Sequence, residues 1–133
     1  MLDYDPKVLM AFGETFSEED GEFLNYLLNN GYPELAALSS GIRGSNEAVD
    51  WLFKNKFPHF AAFDNAVSGS IEAYTWLLDN NQNLLALFVD AINNDTNALA
   101  WLKNHNLEIF IHLSRKIRNF REGQTFDYHK IHF

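Results

Sequence analysis

The tryptophans of this chain are regularly spaced. Trp51, Trp76 and Trp101 are separated by 25 residues, and each is followed by a leucine. The pair Tyr26-Leu27 lies a further 25 residues towards the N-terminus. A fixed period predicts a repeated supersecondary unit that buries its apolar face only by stacking against its neighbours. The spacing therefore predicts four tandem repeats, which span residues 21–45, 46–70, 71–95 and 96–120.

Other positions agree with this register when the first residue of each repeat, such as Gly21, is numbered position 1. Position 2 holds three glutamates and an asparagine, and position 10 holds three asparagines and a histidine. Positions 15, 18 and 22 are always apolar: Leu35, Leu38, Ile42, Phe60, Phe63, Val67, Leu85, Phe88, Ile92, Phe110, Leu113 and Ile117. Apolar residues at this spacing indicate one face of a helix.

Each repeat predicts two short helices. The first covers positions 1 to 9, after an N-cap at Ser45, Ser70 or Asp95. We expect the asparagine at position 10 to end this helix in the left-handed conformation. The second helix is expected to begin near position 12, with Pro33 and Pro58 in its first turn. The predicted fold is all-α, an α-solenoid of tandem two-helix repeats with about eight to ten helices and no sheet.

The four repeats leave a short segment at each end of a single domain, 1–133. Leu9 to Phe12 resemble Leu35 to Leu38, which predicts an N-terminal half-repeat that caps the stack. The half-repeat and an acidic link, Glu14 to Asp20, make up residues 1–20. Residues 121–133 form a tail with a weak helical signal.

Part of the repeat resembles an ankyrin repeat. Ala61-Ala62, Gly69-Ser70, Glu72-Ala73 and Trp76-Leu77-Leu78 follow the order of an alanine-rich helix, a turn and a helix with an apolar pair. Ankyrin repeats span about 33 residues and open with a Thr-Pro-Leu-His-type turn. Here the period is 25 and that turn is absent. The resemblance implies an ankyrin-like helical array without β-hairpin fingers, which binds proteins and has no catalytic residues.

The composition limits the function classes. The net charge is −8, and residues 1–50 alone hold 10 acidic and 2 basic residues. An acidic chain repels nucleic acid and anionic membranes. The absence of cysteine excludes disulfides and thiolate metal sites. No apolar run reaches the length of a membrane helix and the N-terminus is acidic, so we expect a cytoplasmic protein.

One segment departs from this acidic character. Arg115, Lys116, Arg118 and Arg121 form the basic cluster of a C-terminal third that carries six basic and three acidic residues. We interpret the cluster as a charged end-cap of the last repeat. The alternative is that it binds nucleic acid or an acidic partner.

The aromatic residues at position 6 allow two interpretations. The leucine that follows each of them suggests that both side chains pack between repeats, so we expect Trp76 and Trp51 to be buried. The alternative is a stacking ladder for bases or sugars, formed by Tyr26, Trp51, Trp76 and Trp101.

Candidate metal ligands are incomplete. Glu18-Glu19-Asp20 with Glu22 lacks the alternating acids and central glycine of a calcium loop, and we interpret it as a solvated link. His129 and His132 near Asp127 have a spacing that metals use, but the sequence places no third ligand. We predict no metal, no cofactor and no catalytic residues. An enzyme with a spatially assembled site remains an alternative function.

The leading hypothesis is a protein–protein interaction module with another protein as its partner. We expect first-helix outward positions, such as Glu47, Asp50 and Glu72, to stay polar. Outward positions of the second helices are mixed, and an apolar patch there is typical of a binding surface. The predicted partner-binding residues are His59, Leu84, Leu87, Ile109, His112 and Arg115.

Overall fold

The computed structural model describes the backbone of residues 1–131 and the side chains of residues 1–123. That part of the chain forms nine α-helices and contains no strand, which confirms the all-α prediction. The helices are α1 Pro6–Glu14, α2 Glu22–Asn29, α3 Pro33–Ile42, α4 Asn46–Lys54, α5 Pro58–Val67, α6 Ile71–Asp79, α7 Asn83–Ile92, α8 Thr96–Asn104 and α9 Glu108–Ile131.

Side chains fix the starts of α4, α6 and α8. Each N-cap side chain accepts a hydrogen bond from the backbone N–H three residues later, which satisfies a donor that the helix leaves free. The three bonds are Ala48 N to Ser45 Oγ (3.2 Å), Ala73 N to Ser70 Oγ (3.1 Å) and Ala98 N to Asp95 Oδ1 (2.9 Å). The predicted N-caps are thereby confirmed.

The ends of these helices use a different device from the predicted one. Position 10 is not left-handed, since Asn55 has φ −102° and Asn80 has φ −106°. Its side chain bonds instead to the backbone carbonyl of position 6. The left-handed residue is at position 11: Gly31, Lys56, Asn81 and Asn106, with φ between 59° and 87°.

A Schellman motif completes each turn. The N–H of position 12 donates to the carbonyl of position 7, for example from Phe57 to Leu52 at 2.8 Å and from Gln82 to Leu77 at 2.8 Å. The next helix then begins at position 13, one residue after the predicted start. Pro33 and Pro58 occupy its first position, as predicted.

The helices form two layers. Inner helices α1, α3, α5, α7 and α9 contact one another in that order. Outer helices α2, α4, α6 and α8 each contact only the two inner helices next to them in the chain. No two outer helices contact each other among the described residues, so a groove separates each outer helix from the next.

The inner layer closes, because α1 also packs against α9. A Cβ at Gly13 would lie 2.8 Å from Leu113 Cδ2, so the lack of a side chain at Gly13 allows the two helices to approach. Lys116 Nζ forms a salt bridge with Glu14 Oε1 at 3.1 Å. The half-repeat therefore joins the two ends of the array, whereas an open stack would keep them apart.

Positions 15, 18 and 22 line the interior of the closed layer, as their periodicity predicts. Phe63 contacts Phe88 with ring centroids 4.9 Å apart, and Phe88 contacts Phe110 at 5.5 Å. All three rings are buried. Phe12 of α1 is buried with them, which places the half-repeat in the core.

The C-terminal segment differs from its predicted weak structure. Helix α9 continues as far as Ile131, so the tail is an extension of the last helix. Arg118 in this helix donates to the C-terminal carbonyls of α7, at 2.7 Å to Ala91 and 2.9 Å to Ile92. The candidate metal ligands His129, His132 and Asp127 lie outside the residues whose side chains are described.

The close approach of α1 and α9 predicts opposite effects for two glycine substitutions. Alanine normally stabilises a helix by about 0.5–1 kcal/mol relative to glycine. We expect Gly13→Ala to lower the free energy of unfolding by about 1–3 kcal/mol, because its methyl group would overpack the buried Leu113. Gly123→Ala is the control, since nothing lies near its Cβ, and should be neutral or stabilising. Urea unfolding measures both, and equal effects would contradict the closure.

Asp64 of α5 predicts a pH dependence of stability. Only 5% of this residue is exposed, and burial raises the pKa of its carboxyl to about 6, against the opposing effect of the Arg121 charge. Between about pH 4 and 6 the folded state therefore holds a proton that the unfolded state has released. Stability attributable to Asp64 falls as the pH rises through this window. Asp64→Asn should stabilise the protein by up to about 3 kcal/mol at pH 7.5.

The comparison of wild type and Asp64→Asn at two pH values isolates this group. The stability difference should shrink at pH 4, where both side chains are neutral in the folded protein. Urea unfolding at pH 7.5 and pH 4 gives the two differences. A difference that is the same at both pH values would show that charge burial at Asp64 is not its cause.

Candidate protein-binding surface

The outer helices bury their leucine and expose the aromatic residue before it. Leu27, Leu52, Leu77 and Leu102 at position 7 are fully buried. At position 6, Tyr26, Trp76 and Trp101 are between 37% and 42% exposed, and Trp51 is half-buried. The expectation that Trp76 is buried between repeats is therefore wrong. Consecutive helical residues point in different directions, and the leucine takes the core-facing one.

Position 8 adds further apolar surface. Leu28, Phe53 and Leu78 are between 45% and 53% exposed, while the fourth repeat has Lys103 at this position. The expectation that the outward surface of the first helices is polar throughout is thus wrong. The predicted polar residues are exposed as expected, but they alternate with these large apolar side chains: Glu47, Asp50, Lys54, Glu72, Thr75 and Asp79.

The aromatic row, which we define as Tyr26, Trp51, Trp76 and Trp101, is anchored through its backbone. The position-10 side chain of each repeat bonds to the carbonyl of the aromatic residue. These bonds are Asn30 Nδ2 to Tyr26 O (2.7 Å), Asn55 Nδ2 to Trp51 O (2.8 Å), Asn80 Nδ2 to Trp76 O (2.8 Å) and His105 Nδ1 to Trp101 O (2.8 Å). The C-terminal turn that carries each ring is therefore held in place.

Two members of the aromatic row also stack on a neighbouring ring. Trp101 lies on His105 with centroids 3.8 Å apart and an interplanar angle of 16°. Trp51 lies parallel to Phe57, with centroids 6.2 Å apart and an angle of 9°. Such contacts restrict the side-chain rotamers, so a ligand that binds these rings immobilises little that was free before.

Grooves separate neighbouring helices on this side of the molecule. The groove between α2 and α4, with α3 as its floor, has a volume of about 340 Å³. Alanines make the floor low, and larger apolar side chains form the walls. Its lining includes Leu24, Leu28, Ala36, Ala37, Glu47 and Trp51.

A second groove runs between α1 and α2. It has a volume of about 400 Å³ and contains Met10, Phe23 and Tyr26, together with the carboxylates Glu14 and Glu22. Tyr26 and Met10 are both 41% exposed. The half-repeat therefore continues the grooved surface towards the N-terminus.

The 25-residue register extends the grooved surface towards the C-terminus. Between α6 and α8, Leu87 replaces the floor alanine, and Tyr74 Oη donates to Asp90 Oδ2 at 2.9 Å. Both features narrow this interval. Beyond α8 no further outer helix follows, and a depression of about 320 Å³ is lined by Lys103, Glu108, Ile111, His112 and Arg115.

The predicted partner-binding residues divide into two groups. His112 and Arg115 lie together in the C-terminal depression, and the register places Leu87 in the floor of the α6–α8 groove. His59, Leu84 and Ile109 lie at the second residue of α5, α7 and α9. All three are half-buried, and Leu84, Leu87 and Ile109 pack against the core. The structure thus brings only part of the predicted set to the grooves.

His59 is held among other rings. It contacts Phe57 and Phe60, with centroids 6.0 Å and 4.5 Å away. Burial lowers its pKa, and the positive charge of the N-terminal amino group lowers it further. His59 therefore stays neutral at physiological pH, which suits packing better than the pairing of a charged partner.

Most of the basic cluster makes contacts within the molecule. Arg118 caps α7, and Lys116 binds Glu14 and donates to Ser17 at 3.2 Å. The charge of Arg121 acts on Asp64. Arg115 is exposed. The cluster thus helps to join α9 to α1 and α7, in addition to the charge that it gives to this end of the molecule.

The acidic link has a local structural role. The carboxylate of Glu18 accepts hydrogen bonds from the backbone N–H of Phe23 (2.6 Å) and Leu24 (3.1 Å), and Asp20 accepts one from Glu22 (3.1 Å). These bonds cap the start of α2. No group of three or more potential metal ligands occurs among the side chains that the structure describes.

The different burial of two neighbouring residues predicts different costs of truncation. Leu77→Ala removes a fully buried side chain and should cost about 2–5 kcal/mol of stability. Trp76→Ala removes a larger but 37% exposed side chain and should cost less than Leu77→Ala. Thermal or urea unfolding of the two variants checks the order. The reverse order would mean that the ring of Trp76 belongs to the core.

Comparison with protein-family models, curated proteins and solved structures gives no match for this chain. No helix among the described residues is both long and apolar enough to cross a membrane. The argument for a function therefore depends on the geometry of the chain itself. Its most distinctive surface feature is the aromatic row beside the grooves.

Proposed function

We propose that this chain is a protein-binding module that holds its partner against the outer helices. The observation that carries the proposal is the aromatic row, because its rings are partly exposed beside grooves whose floors are small apolar residues. Large aromatic side chains in partly formed pockets are the residues that contribute most to binding at protein interfaces. Scattered single apolar residues would need no such explanation, but a repeated set does.

The exposed apolar residues are arranged to bind a side chain of a partner. The groove between α2 and α4 has Leu28 on one wall and Trp51 on the other, above the small side chains of Ala36 and Ala37. A partner side chain that enters would contact apolar surface on three sides and lose its contact with water. Since the rings are already restrained, the entropic cost of binding falls mainly on the partner.

The architectural part of the proposal is an array of 25-residue two-helix units that is related in style to ankyrin repeats. Its support is the recurrence of the same capping bonds and the same helix starts at Asn46, Ile71 and Thr96. The contact between α1 and α9 distinguishes this chain from an open solenoid. In this proposal the closure supplies rigidity, and the outer helices supply the binding surface.

The proposal assigns no catalytic residue and no cofactor. Nucleic acid or an acidic partner bound through the C-terminal basic segment is the second candidate. The observation in its favour is the depression that contains Lys103 and Arg115, both of which are exposed. Binding there would weaken steeply with salt. Because Lys116 and Arg118 are engaged within the molecule, we rank it below the aromatic row.

Selection from a random library of displayed 16-residue peptides tests the proposed function. We expect enriched peptides that bind the wild type, lose binding to a Phe53→Ser/Trp76→Ser variant and keep binding to Leu2→Ser. Phe53 and Trp76 are exposed by 53% and 37%, and Leu2 is 62% exposed away from the outer helices. Circular dichroism would verify that the variants stay folded. A selection that yields only binders indifferent to Phe53 and Trp76 would refute the proposal.

A further inference from the structure

The outer helices repeat a pairing of a carboxylate with an aromatic ring. Position 2 holds Glu22, Glu47 or Glu72, and position 6 holds an aromatic residue one helical turn later. Residues four apart lie on the same face of a helix. Glu47 and Trp51 both line the groove between α2 and α4, and Glu22 and Tyr26 both line the groove between α1 and α2. The wall of each groove therefore presents a negative charge beside a ring.

The same three helices carry little compensating positive charge. Helices α2, α4 and α6 contain five acidic residues and one basic residue, Lys54. All five carboxylates are exposed: Glu22, Glu47, Asp50, Glu72 and Asp79. In the fourth repeat position 2 is Asn97 and position 8 is Lys103, so the acidic character stops at α8.

We propose that the partner is a basic amphipathic segment, whose apolar side chains enter the grooves while its lysines and arginines meet the position-2 glutamates. A cation beside the aromatic row would gain from both the carboxylate and the face of the ring. This inference rests on the proposed function and specifies the chemistry of its partner.

Charge excludes the competing occupants of the same surface. A second copy of this chain carries a net charge of −8 and would bring like charges together if its acidic helices faced these. Nucleic acid and anionic membranes are repelled for the same reason. Complementary charge mainly directs the approach of a partner and selects among partners, while the apolar anchors supply most of the affinity.

Two synthetic peptides with one apolar pattern separate the charge from the apolar contribution. The probes are fluorescein-labelled 18-residue amphipathic peptides, one built from leucine and lysine and the other from leucine and glutamate. We expect the lysine peptide to bind at least about tenfold more tightly, since several surface ion pairs add to the same apolar contacts. Its affinity should fall when the salt concentration is raised from 50 to 500 mM. Fluorescence anisotropy measures both.

Charge reversal at the site distinguishes local pairing from the net charge of the protein. Glu47→Lys/Glu72→Lys should abolish the preference for the lysine peptide. Asp3→Lys/Glu122→Lys changes the net charge equally at exposed residues outside the outer helices and should keep the preference. Equal effects of the two double variants would overturn the inference, because any acidic surface would then suffice.

The outcomes also separate this inference from the proposed function. If both peptides bind equally and Phe53→Ser/Trp76→Ser abolishes both interactions, the basic partner is refuted and the protein-binding surface stands. If the lysine peptide binds but is indifferent to Phe53→Ser/Trp76→Ser, both are refuted. If the lysine peptide does not bind, the basic partner is refuted, and the library selection alone decides the proposed function.

Discussion

Each of the first eight helices has only eight to ten residues, and helices of this length are not stable alone in water. Burial of one leucine per outer helix, as at Leu52 and Leu77, is what keeps these helices in place. The buried leucine fixes the rotation of the outer helix, and the rotation in turn decides which residues face the solvent. The exposure of the aromatic row is thus a consequence of the burial of its neighbour.

The closed inner layer solves a problem that every array of repeats has at its ends. A terminal repeat leaves an apolar face without a neighbour, and natural arrays usually cover it with a polar capping unit. Here α1 contacts α3 on one side and α9 on the other. Gly13 allows this approach, and the Lys116–Glu14 salt bridge lies at its edge. The ends thereby cover each other.

Features that depend on local chemistry could be predicted from the sequence. The N-caps Ser45, Ser70 and Asp95 and the helix-starting Pro33 and Pro58 were identified correctly, because capping and proline geometry act within one turn of helix. The left-handed residue was placed one position early. Asparagine at position 10 has a side chain that reaches the position-6 carbonyl, and that bond leaves the left-handed conformation to position 11, which even Lys56 adopts.

Features that depend on distant parts of the chain could not be predicted. A repeat register describes contacts between neighbouring repeats, and so it contains no information about the contact of Phe16 with Phe120, whose ring centroids are 5.8 Å apart. The exposure of Trp76 was missed for a different reason. Positions 6 and 7 are both apolar, and only the packing of the leucine against two inner helices shows which of them faces inwards.

The separation of the two layers bears on how binding and stability are related in this molecule. The outer helices contact inner helices only, so no outer helix depends on another for its position. A side chain such as Phe53, which is 53% exposed on α4, can therefore change without disturbing the closed layer. The core positions, in contrast, are shared between several helices, as the contacts of Phe88 with both Phe63 and Phe110 show. Variation at positions 2, 6 and 8 can alter the partner at little cost in stability, whereas variation at positions 7, 15 and 18 affects the fold.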